Sequence, residues 1–362
     1  MPRLKSYREP MIAALLCNFL LVAASANGQQ SAPAPPAHVS QESSQPEMRV
    51  PASVRMDCTY LGNALRATEQ RVERDERFVA ANPQPESPST TGNLKAPAVN
   101  LAYDRKLLEH DRAELDKCAA WNERVKQEPT KDCSSSEFFD FHVTHDDGPA
   151  HDVELYRQPE SAAFFFESSL SVDADGAPNA YHPDNIGLDD ITNAGAPGSW
   201  SGVAADKSGE LFIQGPGDPF PGYYVSVTDL SDRAKAANDP TRYVDASRIP
   251  YIVLPEGIEA QTGARPGDFA VVFNLQNGKR SPAIFADTGP EDRIGEGSVA
   301  LAESLGLWSD ARSGGTTRGI LYLVFPGSGN GTPRPIEEIN AEVDKLFSAW
   351  GGNSQLTACG IR

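Results

Sequence analysis

The chain has 362 residues, room for one large domain or two moderate ones, and its 50 acidic against 32 basic side chains give a formal charge of −18. Such a surface repels nucleic acid and suits a cationic partner, although it serves solubility equally well. Its five cysteines include no Cys-x-x-Cys pair, which speaks against a zinc knuckle or a thioredoxin-like redox site.

Arg3, Lys5 and Arg8 precede an apolar run over 11–24, and Ala24-Ser25-Ala26 supplies small residues for cleavage. The pattern is that of an export signal over residues 1–28, its apolar run too short for a comfortable membrane span. No later segment is apolar enough to cross a bilayer. The expected location is therefore extracellular or periplasmic, with no membrane contact after signal removal. Cys17 falls inside the signal, leaving Cys58, Cys118, Cys133 and Cys359 as an even set for two disulfides. Residues 29–54, rich in Ala, Pro, Ser and Gln, read as a flexible linker.

Two helical patterns follow. Leu61, Leu65, Val72 and Val79 form one stripe over about 55–81, and Leu101, Leu108 and Leu115 recur every seven residues over roughly 99–126. The segment 82–97 between them holds four prolines. The expectation is an antiparallel helical hairpin spanning 55–132, a spacer or docking element. Cys58 and Cys118 would share one end of it, so Cys58–Cys118 with Cys133–Cys359 is the preferred of the three pairings.

From Cys133 the texture changes to short apolar runs between Gly, Pro and Asp turns. Candidate strands are 138–144, 153–157, 163–167, 211–214, 223–227, 251–253, 270–274, 281–285 and 320–324. Helices are expected at about 298–305 and at the C-terminus. In the latter Ile336, Ile339, Val343, Leu346, Phe347 and Trp350 recur at helical spacing between Pro335 and Gly351. Residues 133–362 thus read as one β-rich domain without internal repeats.

The block 284–306 carries the chemistry. An apolar strand delivers Asp287 onto a Thr-Gly-Pro turn, and a short loop then places Glu296 just before a helix opened by Ser298. Two carboxylates on rigid elements at adjacent turns meet the needs of acid/base glycoside hydrolysis. Taken alone, the same residues are explained by a turn aspartate and by a glutamate favouring a helix N-terminus. Asp173 and Asp175 could receive a substrate amine or replace Asp287 as base. Their Asp-Ala-Asp-Gly setting lacks the spacing of a calcium loop, so neither metal nor cofactor is assigned. Tyr181, Trp200, Tyr223, Tyr224 and Trp308 could stack on sugars or fill the core. His142, His145 and His151 read as part of a polar hairpin, because residues three apart on a strand face opposite ways. No zinc-protease, esterase or phosphate-loop motif occurs.

Several blocks together resemble the family 75 chitosanases, secreted glycoside hydrolases of fungi and bacteria. They are Leu170-Ser171-Val172-Asp173-Ala174-Asp175-Gly176, Tyr181-His182-Pro183, Gly215-Pro216, Pro221-Gly222-Tyr223-Tyr224-Val225-Ser226, the run 249–255, Gly267-Asp268 and the carboxylate block. The resemblance covers roughly residues 163–326. It implies an essential pair made of an Asp in a Gly-Asp-Thr-like turn, here Asp287 after Ala286, and a Glu in Gly-Glu-x-Ser, here Glu296. It also implies inversion, with the carboxylates about 6.5–9.5 Å apart. Glu296, between Gly295 and Gly297 and near Ile294, is the better acid; Asp287, beside the Thr288 hydroxyl, is the better ionised base; the roles could be exchanged. Asp173, Asp175, Tyr223 and Tyr224 are then expected on the substrate.

Asp-Thr-Gly-Pro, followed by a basic residue, an Ile and a helix of small residues ending Leu-Gly, is also similar to the double-psi β-barrel pattern of expansin-like and lytic-transglycosylase-related proteins. The expected fold is mainly β, a double-psi β-barrel-like catalytic domain preceded by an α-helical hairpin. The expected function is that of a monomeric, cofactor-free, secreted, endo-acting hydrolase of the β-1,4-glucosaminyl bonds of chitosan. The alternatives are an expansin-like wall protein that holds polysaccharide without cutting it, and a hydrolase of another wall glycan.

Overall fold

The computed structural model describes residues 58–81, 97–127, 136–143, 151–158 and 161–359; the expected signal, the linker, Cys133 and His145 lie outside them. Helices α1 (Thr59–Ala81) and α2 (Pro97–Gln127) form the expected pair. Leu61, Val72 and Leu101 of the apolar stripes are buried, with Leu65 and Leu108 half-buried beside them. Cys58 and Cys118 are joined, with their Cα atoms 6.0 Å apart. Cys359 is also disulfide-bonded, and its expected partner, Cys133, is not among the described residues. The seam between the helices is partly polar. Thr68 Oγ1 donates to Asp111 Oδ2 at 2.7 Å, and Arg71 pairs with the buried Asp104 at 3.5 Å.

Strands β1 (Ser136–Val143) and β2 (His151–Arg157) form an antiparallel ribbon, and β2 pairs with the start of β3 (Phe164–Asp173). A minute hairpin, β4 (Gly195–Ala196) and β5 (Ser199–Trp200), and a 3-10 turn (Pro240–Arg242) follow. The remaining elements are β6 (Tyr251–Pro255), α3 (Ile258–Thr262), β7 (Phe269–Asn274), β8 (Arg280–Gly289), β9 (Glu296–Ser298), α4 (Val299–Ser304), β10 (Thr316–Phe325), α5 (Ile336–Trp350) and α6 (Gly352–Ala358). The order β3-β10-β7-β8-β6-β9 returns to β3, closing a six-stranded barrel. Two of its contacts, β3 with β9 and β6 with β8, are parallel and the rest antiparallel. The architecture is thus mixed α/β, a mixed barrel preceded by a helical pair.

Every residue of β6 and β7 is buried, because one face lines the barrel interior and the other is covered. Part of that cover is α5, which packs on β7 and β8 with Ile339, Val343 and Phe347 buried. The Phe347 ring lies 5.6 Å from Phe273. Inside, Phe166 stacks on Tyr322 at 4.8 Å across the β3–β10 ladder.

The barrel closes through β9, only three residues long and wedged between β3 and β6. Glycine makes the wedge possible. Gly295 has φ 96°, and a Cβ there would meet Ser168 Oγ at 2.5 Å and the Ser169 carbonyl at 2.8 Å. Ser298 then ends the strand and starts α4. Its fully buried Oγ accepts from Leu301 N–H (3.1 Å) and Tyr251 N–H (3.0 Å) and donates to the Ile249 carbonyl (2.9 Å). Gly295→Ala is expected to cost about 2–4 kcal/mol, from left-handed strain and overpacking together. Denaturant titration checks this, and a loss below about 0.5 kcal/mol, the level of an ordinary surface change, would show that the wedge tolerates a side chain.

Candidate active site

Barrel register places the two block carboxylates. Val253 on β6 lies opposite Asp287 on β8 and opposite Glu296 on β9. Directly paired residues share a sheet face, so Asp287 and Glu296 flank Val253 on one side of the barrel. Two interstrand spacings put their Cα atoms about 9.5 Å apart. Glu296 also pairs with Ser171 on β3, and Asp173, two residues on, shares that face. The strand end therefore brings Asp173, and after it Asp175, to the same site.

Each carboxylate is held differently. Asp173 is 8% exposed; its Oδ1 accepts from Asp175 N–H at 2.8 Å and its Oδ2 from the Tyr251 hydroxyl at 2.9 Å. Asp175 accepts from the Tyr181 hydroxyl at 2.7 Å. Asp287 Oδ1 accepts from two backbone N–H groups, Asp229 at 2.9 Å and Thr288 at 3.0 Å. Glu296, half-buried, makes no side-chain hydrogen bond among the described residues. Its carboxyl is left for something that enters.

Burial raises every one of these groups, and repulsion from neighbouring carboxylates adds to it at Glu296, Asp287 and Asp175. Glu296 is pushed up to about 8, first by burial and then by the charge of Asp173, against Arg293. Asp287 is held well above the usual carboxylate range by burial and then by Asp173, with its two N–H donors opposing. Asp175 is also well above it, through burial and then the charges of Asp173 and Asp287. Asp173 is raised by burial. Oxygens of Asp173, Asp175 and Asp287 lie within 4.8 Å of one another. Groups so close cannot all ionise at neutral pH and titrate as a set. Thr288 contributes its backbone N–H rather than its hydroxyl to Asp287, and burial beside Asp173 opposes ionisation of that carboxyl. Among the described residues this trio is the group whose oxygens approach closely enough to hold a metal cation. An organic ammonium makes the same electrostatic demand.

The aromatic candidates divide. Tyr181 is 1% exposed and spends its hydroxyl on Asp175, so it is core and not a stacking platform. Trp308 packs against α2, its ring 4.8 Å from His110 with Lys106 Nζ 4.9 Å from its centre. Trp200 is half-buried in β5. Tyr223 and Tyr224 are half-buried beside the Tyr181-His182 segment, where Tyr224 N–H donates to the Tyr181 carbonyl at 3.0 Å. The Tyr223 ring meets His182 edge-on at 4.7 Å and Phe220 at 5.7 Å.

Four participants escape the sequence reading. Tyr251 looks like one more apolar strand residue, yet its hydroxyl holds Asp173. Asp229 supplies only a backbone N–H, which no side-chain pattern announces. Asp189, 4% exposed and pushed up to about 6 by burial, lies with its Oδ2 3.4 Å from the Tyr181 hydroxyl. Arg312 binds the segment that carries Asp189.

Residues 217–350 match the family described as the fungal chitosanase of glycosyl hydrolase group 75. This segment is a domain of that family; it contains Asp287 and Glu296, whereas Asp173 and Asp175 precede it. That segment marks the chain as a glycoside hydrolase, and the family of the segment implies chitosan hydrolysis. A comparison with curated proteins gives no match.

Proposed function

We propose, from this group 75 domain, that the protein is a secreted, monomeric, endo-acting chitosanase that cleaves β-1,4-glucosaminyl bonds with inversion. One observation carries the reading: Asp287 and Glu296 flank Val253 on one face of the barrel, about 9.5 Å apart at Cα. Inversion further requires the two carboxyl groups to stand about 6.5–9.5 Å apart, with a water molecule between one of them and the sugar.

Glu296 is the acid. With its pKa near 8 it is protonated at neutral pH, and it can hand its proton to the leaving glycosidic oxygen. Asp287 is the base, because its two N–H donors stabilise an anion and Glu296 has no such donors. Asp287 takes a proton from the water that attacks the anomeric carbon from the opposite side. Asp173 and Asp175 receive a glucosamine ammonium. A cation among the raised carboxylates favours their charged forms, so bound substrate itself helps ionise the base. One of Tyr223 and Tyr224 offers a sugar a flat face.

The helical pair belongs to an appendage over 55–132, the catalytic domain spans 133–362, and residues 1–28 direct export. The double-psi likeness supports an open polysaccharide groove at the barrel rim. No described helix is long and apolar enough to cross a membrane, and the disulfide Cys58–Cys118 suits an oxidising compartment.

The test is soluble chitosan of graded acetylation. Viscosity is expected to fall well before reducing ends accumulate, fastest on the most deacetylated polymer. Activity should decline as pH rises past about 8, where Glu296 loses its proton. Salt-sensitive retention on the polymer without any product would instead favour the non-hydrolytic wall protein.

A further inference from the structure

Helix α2 is bound to the barrel at the start of β10 and at the loop 308–315 that precedes it. Glu114 of α2, 2% exposed, accepts from Thr316 Oγ1 at 3.0 Å, Thr317 N–H at 3.1 Å and Thr317 Oγ1 at 3.3 Å. Its other oxygen pairs with Lys117. Earlier on the same helix, His110 and Lys106 enclose the Trp308 ring, and the Tyr103 hydroxyl lies 2.6 Å from Ser313 Oγ. The loop 308–315 is tied internally as well. Gly315 N–H donates to the Trp308 carbonyl at 2.7 Å, and Arg312 N–H to Asp310 Oδ1 at 3.0 Å.

From this loop Arg312 reaches the segment 185–190. Its Nη2 lies 3.0 Å from the Asn185 carbonyl, 3.1 Å from Gly187 and 2.9 Å from Asp189, and Nη1 lies 3.9 Å from the Asp190 carboxylate. The planar guanidinium thus gathers carbonyls that no strand or helix engages. The segment so held sets the Asp189 carboxylate 3.4 Å from the Tyr181 hydroxyl, which itself donates to Asp175.

We propose that Arg312 is a positioning residue for the active site and that α2 is its brace: the docked helix fixes the loop, the loop fixes Arg312, and Arg312 fixes Asp189 behind Tyr181 and Asp175. The kinetic half of its test rests on the hydrolase reading, and the structural half does not. Asp189 adds to the charges that keep Glu296 protonated, together with Asp173 and against Arg293, while Asp175 and Tyr322 also face Glu296. Loss of the Asp189 charge, or its displacement, should therefore lower the pKa of Glu296 and move the alkaline limb of the rate profile to lower pH. A merely structural Arg312 would reduce the melting temperature and the active fraction and leave that limb in place.

The experiment uses the full chain with Arg312→Ala, Arg312→Lys, Glu114→Ala, Thr317→Val and Asp189→Asn, the valine serving if Glu114→Ala fails to fold. Amide exchange over 185–193 is expected to quicken at least about tenfold, a loss of roughly 1.4 kcal/mol of local stability, in both Arg312 variants and on breaking the Glu114 contact. Lysine does not rescue, since it keeps the charge without the fork. Arg312→Ala and Asp189→Asn should both shift the alkaline limb downward, and the double variant no further than Asp189→Asn alone. Unchanged exchange in the Arg312 and Glu114 variants overturns the proposal, as does a limb that moves in Asp189→Asn but not in Arg312→Ala. If the wild type leaves chitosan uncut, the hydrolase reading fails and exchange alone decides the brace.

Discussion

Glu296→Gln is expected to lower kcat on chitosan between about a hundredfold and ten-thousandfold, the range ascribed to general acid catalysis, and to leave polymer affinity within a few fold. Gln has the shape of the protonated acid but no proton to give at the leaving oxygen. The fold should survive, because the Glu296 side chain makes no hydrogen bond among the described residues for the amide to break. Steady-state rates beside a binding isotherm and a melting curve check all three. A variant that keeps more than about a tenth of wild-type kcat would remove Glu296 from the acid role.

Asp287→Asn should cost a comparable factor for the complementary reason. The amide oxygen can still accept from Asp229 and Thr288 N–H, so the turn is kept while the base is lost. One neighbouring negative charge also disappears from Asp175, which should then ionise at lower pH. Added azide separates the roles. It needs no base, so it is expected to restore Asp287→Asn in part, giving a glycosyl azide of inverted configuration, and to leave Glu296→Gln inactive. Rescue of Glu296→Gln and not of Asp287→Asn would exchange the assignments of acid and base.

Much of this frame can be read from the sequence where the signal is local. The heptad leucines of α2, the Pro335 and Gly351 that bracket α5, and the Ser298 cap of α4 are short-range devices, and each element lies within a few residues of its expectation. The shared hairpin end of Cys58 and Cys118 follows from the two stripes alone. Elements buried on both faces are harder. β3 runs on to Asp173, beyond the expected 163–167, because its burial does not alternate. β9 has three residues with glycine before and within it, too few for any period, yet it closes the barrel and presents Glu296. Segments 211–214 and 223–227, expected as strands, form only isolated bridges such as Ile213 with Tyr224.

The site follows the same division. Asp287, Glu296, Asp173 and Asp175 stand out by residue type and by their turns, and closure of the barrel brings them together. Tyr181 and Trp308 show the limit of residue type: one is buried against Asp175 and the other is enclosed by α2. Asp189 and Arg312 are distant in sequence and lie in irregular segments, where no periodicity ties one to the other.

The central claim is that Asp287 and Glu296, one strand apart on the barrel face, hydrolyse chitosan with inversion. Proton NMR of the first products released by the wild-type chain from fully deacetylated chitosan tests it most directly. Newly formed reducing ends should appear as the α-anomer and only later mutarotate. Initial release of the β-anomer would contradict inversion, because it would require a covalent intermediate and a carboxyl pair about 5–5.5 Å apart.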